Sequence, residues 1–174
     1  MNFNSSATNK DEGSSTFVRD LFINKIAASK ITPKRIRMFL YKRWGLEIEG
    51  SISPGSFIGG HDIKIGRNSF VNYNCFFDGL APIKIGKNCF IAMEVMFCTS
   101  THKIQTENGE KRIGDSYGIP ITVEDNCWIG TRATILPGVT VGTGCIIAAG
   151  AVVSKDCAPD GFYAGVPAKR IKDI

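Results

Sequence analysis

Two histidines (His61 and His102) and six cysteines (Cys75, Cys89, Cys98, Cys127, Cys145 and Cys157) are the side chains of this 174-residue chain whose chemistry lies nearest neutral pH. An imidazole can take up and return a proton in that range. A zinc site needs Cys and His clustered at short spacing. The chain has no CxxC pair and only two histidines, so no metal is expected. A disulfide framework belongs to small secreted chains, and Met1–Ser15 is polar, without the apolar core of a signal peptide. The cysteines need another explanation, and their spacing supplies it.

An aliphatic residue falls at every sixth position through Val123, Ile129, Ile135, Val141, Ile147 and Val153. Four places after each stands a small or β-branched residue: Cys127, Ala133, Val139, Cys145, Ala151 and Cys157. The same beat is heard earlier at Ile65, Val71, Ile85 and Ile91. A period of six is neither helical nor that of an alternating strand; a short fixed period marks a solenoid, and hexapeptides mark a β-helix. Three hexads make one triangular coil of about 18 residues, with the aliphatic pointing inward and stacking on its equivalent ~4.8 Å away. The small residue points inward near a corner too narrow for Leu or Phe. Cys75, Cys89, Cys127, Cys145 and Cys157 take that slot and read as small core hydrophobes. The facing of Cys98 stays open. Pro137-Gly138 and Ser53-Pro54-Gly55 suit corners that need positive φ.

The beat breaks once. After Phe97 the next anchor is Val123, and the polar stretch 99–120 between them predicts an excursion loop with His102 at its root. Ahead of the solenoid, residues 1–16 read as a flexible polar tail. Residues 17–45 read as a helical cap of two short helices, one with Val18, Leu21, Phe22 and Ile26 at helical spacing, the other with Ile36, Phe39, Leu40 and Trp44. Thr32-Pro33 reads as the start of the second helix and Gly45 as its end. The β-helix spans 46–165, and 166–174 is a basic tail.

Composition of 43% hydrophobic and 21% charged residues is globular. The net charge of +5 is uneven: residues 1–45 hold nine Lys/Arg against three Asp/Glu, and residues 46–165 hold nine against twelve. A mildly acidic body does not suit nucleic acid, whose binders carry a basic face on the main domain. Lys34, Arg35, Arg37, Lys42 and Arg43 on the second helix read as the solvated face of a capping helix, or alternatively as a surface that meets an anionic membrane or partner. No window is apolar enough to cross a membrane, and a cytoplasmic location is expected, at the inner face of the membrane if that contact is made.

The stretches SFVNYNCFFDG (69–79), STHKI (100–104), NCWIGTRATILPGVTVG (126–142), IIAAGAVVSKD (146–156) and YAGVPAKRIK (163–172) resemble the hexapeptide-repeat acyltransferases. Within that family the likeness is to the galactoside, maltose and Nod-factor O-acetyltransferases and to polysaccharide O-acetyltransferases. It implies an all-β solenoid: a left-handed parallel β-helix, a triangular prism with N-terminal helices and one long excursion. It implies acetyl-CoA as cosubstrate, a homotrimer with sites between subunits, and a sugar or glycan hydroxyl as acceptor.

The resemblance also implies roles. His102 matches the family's general base. Asn72, Asn74 and Asp78 match acceptor-binding positions, although the family often carries two acidic residues where this chain has Asp78-Gly79. Trp128 matches the wall of the pantetheine arm; Thr131, Ala149, Ser154 and Lys155 match positions along the coenzyme; Lys169 and Lys172 match basic residues near its phosphates. His61 lies outside every matched motif. The reading is an O-acetyltransferase of a sugar or polysaccharide precursor. Its alternatives are an N-acetyltransferase of an amino-sugar nucleotide and a non-catalytic scaffold.

Overall fold

A computed structural model describes residues 16–107 and 109–174. The expected tail lies outside them, except for Thr16. From Glu47 onward, strands of mostly two or three residues wrap around three faces of a prism. The first face stacks Glu47–Ile48, Ile63–Ile65, Ile83–Ile85, Ile121–Val123 and Thr140–Val141. The second stacks Ser51–Ile52, Phe70–Val71, Phe90–Ile91, Trp128–Ile129, Ile146–Ile147 and Gly161–Ala164, with Lys169–Asp173 antiparallel at its edge. The third stacks Phe57–Ile58, Phe76–Phe77, Met96–Phe97, Thr134–Ile135 and Val152–Val153.

Every predicted anchor points inward, and Val123, Ile129, Ile135, Val141, Ile147 and Val153 are all buried. Each such side chain contributes roughly 1.5–3 kcal/mol relative to exposure. The small slot is filled as the period predicts: Cys75, Cys89, Cys127, Cys145 and Cys157 are buried beside Ala133, Val139 and Ala151. Gly55 and Gly138 turn their corners at φ +83°.

Coil length is not uniform. Pairings such as Trp128 with Ile146 and Thr134 with Val152 advance by 18 residues. Earlier, Phe70 pairs with Phe90 and Phe76 with Met96, an advance of 20. The added residues sit at the corner from the third face to the first, where Asp78–Pro82 must be accommodated. Gly79 allows it: a Cβ there would lie 2.1 Å from the Gly59 carbonyl carbon of the coil below. The same corner emits the 99–120 excursion. This is a two-stranded antiparallel ribbon, Ser100–Glu107 with Glu110–Gly118, rather than an unpaired loop. Cross-strand pairing satisfies backbone groups that a loop would leave to water.

The two predicted helices cap the N-terminal end of the prism; the first turns its predicted apolar stripe outward, while the second packs Leu40 and Trp44 of its stripe against the core and leaves Ile36 and Phe39 outside. The first, Arg19–Ala27, is a π-helix, closed by the Ala28 N–H on the Ile23 carbonyl at 3.0 Å. Its wider turn sends Ile23 and Ala27 inward and leaves Val18, Leu21, Phe22 and Ile26 exposed. The second, Lys34–Trp44, buries Arg37 and Tyr41 while Ile36 and Phe39 face out. Arg37 can be buried because its guanidinium donates to the carbonyls of Ala27, Ser29 and Thr32. Thr32 does not cap this helix; its hydroxyl donates to the Ile26 carbonyl at 2.6 Å. Gly45, at φ +116°, ends it as expected.

Candidate active site

The corner between the third and first faces carries Asp78 and, in the next coil, His102, with Ser154 and Lys155 two coils further on, beyond Leu136. Asp78 is a half-buried anchor point. Its Oδ2 accepts the backbone N–H groups of Thr99 (3.1 Å) and Ser100 (2.8 Å), and its Oδ1 accepts that of Gly79 (2.7 Å). Burial alone would raise its pKa, but the hydrogen bonds from Ser100, Gly79 and Thr99 prevail and hold the carboxyl below its usual range. Fully buried Thr99 completes the clamp by accepting the Ala81 N–H on its hydroxyl. The root of the ribbon is thereby tied to the coil beneath it.

Two residues beyond Ser100, His102 is exposed and opposite Ser116, at a bulge in the ribbon between His102 and Ile104. Its Nδ1 lies 3.1 Å from the Gly114 carbonyl oxygen. A carbonyl can only accept, so in the neutral ring Nδ1 carries the proton. Nε2 is left with a free lone pair directed away from the bond, the form of imidazole that can receive a proton.

The corner between the second and third faces holds a different set. Asn72 is half-buried and folds its amide back onto the Tyr73 N–H at 2.8 Å. Asn74 is exposed at φ 59°, its amide lying over Gly55. Further along, Thr131 and Ala149 join Trp128, Gly130, Ala148 and Phe162 around a mainly apolar groove of about 300 Å³. Small residues along its floor leave room for an extended chain to lie flat. Lys172 reaches over the Phe162 ring at 5.9 Å, and Lys169 is exposed on the same last strand. Ser154 and Lys155 do not line this groove. They are exposed on the edge that carries His102.

The candidate residues therefore occupy two edges of one prism, separated by the third face. Phe162 and Gly130 escaped the sequence reading. Phe162 has no hexad signal of its own, but its outward position follows once it is paired with Ile146 and Trp128. His61 sits exposed two coils below His102, stacked on Trp44 with ring centroids 4.5 Å apart. Among the described residues, no three His, Cys, Asp or Glu side chains converge as a metal site.

A parallel β-helix with a histidine-bearing ribbon at one corner and an apolar groove at another defines a class of transferase scaffold. Comparison with known proteins gives the family. Residues 120–155 match the model of the hexapeptide repeat of succinyl-transferase. The galactoside O-acetyltransferase of Escherichia coli is 38% identical over 121 residues, 70% of this chain and 59% of that protein. The chain thus spans less than two thirds of that relative's length. A maltose O-acetyltransferase from Clostridium difficile is 30% identical, with a TM-score of 0.71 over 93% of this chain and 85% of that one. A galactoside acetyltransferase solved with coenzyme A is 28% identical, with a TM-score of 0.78 over 97% and 85%. The chain belongs to the hexapeptide-repeat acyltransferases of left-handed β-helix fold.

Proposed function

We propose that this protein transfers the acetyl group of acetyl-CoA directly to a hydroxyl of a sugar or polysaccharide precursor. The observation that carries the reading is the His102–Gly114 hydrogen bond, which leaves Nε2 free to act as base. Nε2 takes the proton of the acceptor hydroxyl as its oxygen attacks the thioester carbonyl carbon. The carbon–sulfur bond breaks, and the imidazolium returns the proton to the departing thiolate. No side chain of the protein need form a covalent intermediate, in keeping with five buried cysteines.

The groove at Trp128, Thr131 and Ala149 suits the pantetheine arm, with Lys169 and Lys172 toward the phosphates. Asn72 and Asn74 offer amides to acceptor hydroxyls. The solved relative bound to coenzyme A supports the donor, and those named for galactoside and maltose support a sugar acceptor.

Because groove and histidine lie on different edges, the working unit is a homotrimer in which one copy's groove faces the next copy's His102. The outward columns favour this arrangement. The first face presents Glu47, Lys64 and Lys84, with Lys64 and Glu47 paired at 2.9 Å, whereas the other two present Phe90, Trp128 and Met96 exposed. Exposed apolar columns of that kind call for a partner surface.

The test is to incubate the protein with acetyl-CoA and a panel of sugars, comparing hydroxyl with amino acceptors by mass spectrometry. Acetyl esters are expected. Products acetylated only on nitrogen would overturn the O-transfer reading.

A further inference from the structure

The N-terminal cap turns an unpartnered apolar surface outward. On the second helix, spacing of three and four residues places Arg35, Ile36, Phe39, Lys42 and Arg43 on one outer stripe, all exposed. On the first helix, Val18, Leu21, Phe22 and Ile26 are exposed together. The two stripes are continuous, because Val18, Phe22, Leu40, Arg43 and Trp44 line a single groove between the helices.

Charge frames this surface. Lys25, Lys30, Lys34, Arg35, Lys42 and Arg43 are all exposed, and none makes an ion pair among the described residues. The single carboxylate in 16–45, Asp20, is occupied by Arg19 and Asn24. Uncompensated cations beside projecting Phe, Ile and Leu side chains are what an interfacial amphipathic element presents to anionic lipid. Nucleic acid would account for the cations but not for the aliphatic stripe. A second copy meeting this face cap to cap would set like charges against each other. No described helix is long and apolar enough to cross a membrane.

We infer that the helical cap docks the protein on a membrane surface bearing anionic headgroups, with Phe39, Ile36 and Phe22 in the headgroup–acyl boundary. The inference stands independently of the transfer reaction. It is tested by sedimenting the full chain with vesicles of phosphatidylcholine alone or phosphatidylcholine mixed with phosphatidylserine. Binding to the mixed vesicles only is expected, weakening about tenfold or more as salt rises from ~0.1 to ~0.5 M. The pair Ile36→Glu, Phe39→Glu and, separately, Lys42→Glu, Arg43→Glu should each cut binding by about tenfold, with unchanged circular dichroism and assembly mass. Four results would overturn it: no binding to mixed vesicles, equal binding to both kinds, an altered assembly mass in the variants, or RNA binding that displaces vesicle binding and survives the Ile36/Phe39 change. An altered mass would make the face a contact between copies; the RNA result would make it a nucleic-acid surface.

Discussion

The Oδ2 of Asp78 accepts the Ser100 N–H at 2.8 Å, joining residues 22 positions apart and fixing the start of the strand that carries His102. With Thr99 and Gly79 on the same carboxylate, Asp78 holds backbone, and its capacity for an acceptor hydroxyl is correspondingly reduced. Asp78→Asn should therefore lower kcat, by roughly tenfold or more, with little effect on the KM for acetyl-CoA. A rise confined to the acceptor's KM would instead make Asp78 an acceptor contact.

The same carboxylate makes stability depend on pH in a definite direction. Its folded pKa lies below the ordinary value, so its contribution is complete above the unfolded value of ~3.9 and is lost as pH falls through the folded one. Urea midpoints of the wild type and Asp78→Asn should differ at neutral pH and converge below about pH 4. A gap that widens in acid would contradict the hydrogen-bond network.

His102→Ala removes the free Nε2 and should lower kcat by roughly 10²–10⁴-fold. Coenzyme A binding, measured by calorimetry, should stay near the wild-type value because the groove is on another edge. Full activity in the variant would end the general-base mechanism.

The solenoid was legible because its signal is repeated: one wrong anchor among Val123, Ile129, Ile135 and Val141 would have broken the period. The helical cap was half legible. Helical spacing locates an apolar stripe, yet only tertiary packing decides which stripe is covered; here Ile23 and Tyr41 are covered while Phe39 and Ile36 are not. The candidate site was read as residue types through the family likeness. Its internal bonds were not, because the pairing of His102 with Ser116 and of its ring with Gly114 depends on a bulge that leaves no mark in the sequence.

The groove proposed for the donor makes a steric prediction. Ala149 is exposed at the groove, so Ala149→Leu adds bulk without disturbing the core. The Kd for coenzyme A should rise by about tenfold or more, while the melting temperature stays unchanged. Unaltered affinity would place the pantetheine arm elsewhere.

Assembly follows from the outward columns. Light scattering should give a trimer, and Phe90→Glu, which sets a charge on a 58% exposed ring in the second face, should weaken it. A fully active monomer would dismiss the shared site.

The cysteines give the sharpest test of the hexad register. Cys75, Cys89, Cys127, Cys145 and Cys157 are buried in the narrow slot, and Cys98 alone is partly accessible. Burial pushes the Cys75 thiol up to about 11 and that of Cys157 up to about 12. Cys89 and Cys127 differ, because the two neighbouring thiols influence each other, lowering the pKa of Cys89 and raising that of Cys127, while their Sγ atoms donate to the Glu124 and Gly142 carbonyls respectively. Even so, Cys89 is sealed from solvent at 0% exposure, and a reagent must reach a thiol before its ionisation matters. In native protein a disulfide reagent should therefore label Cys98 and no other cysteine quickly, and all six after denaturation. Cys→Ala at one buried position should cost about 1 kcal/mol or somewhat more, and Cys→Leu roughly 1–3 kcal/mol through overpacking. Rapid native labelling of several thiols would mean that the small slot faces outward and that the prism is wound in a different register.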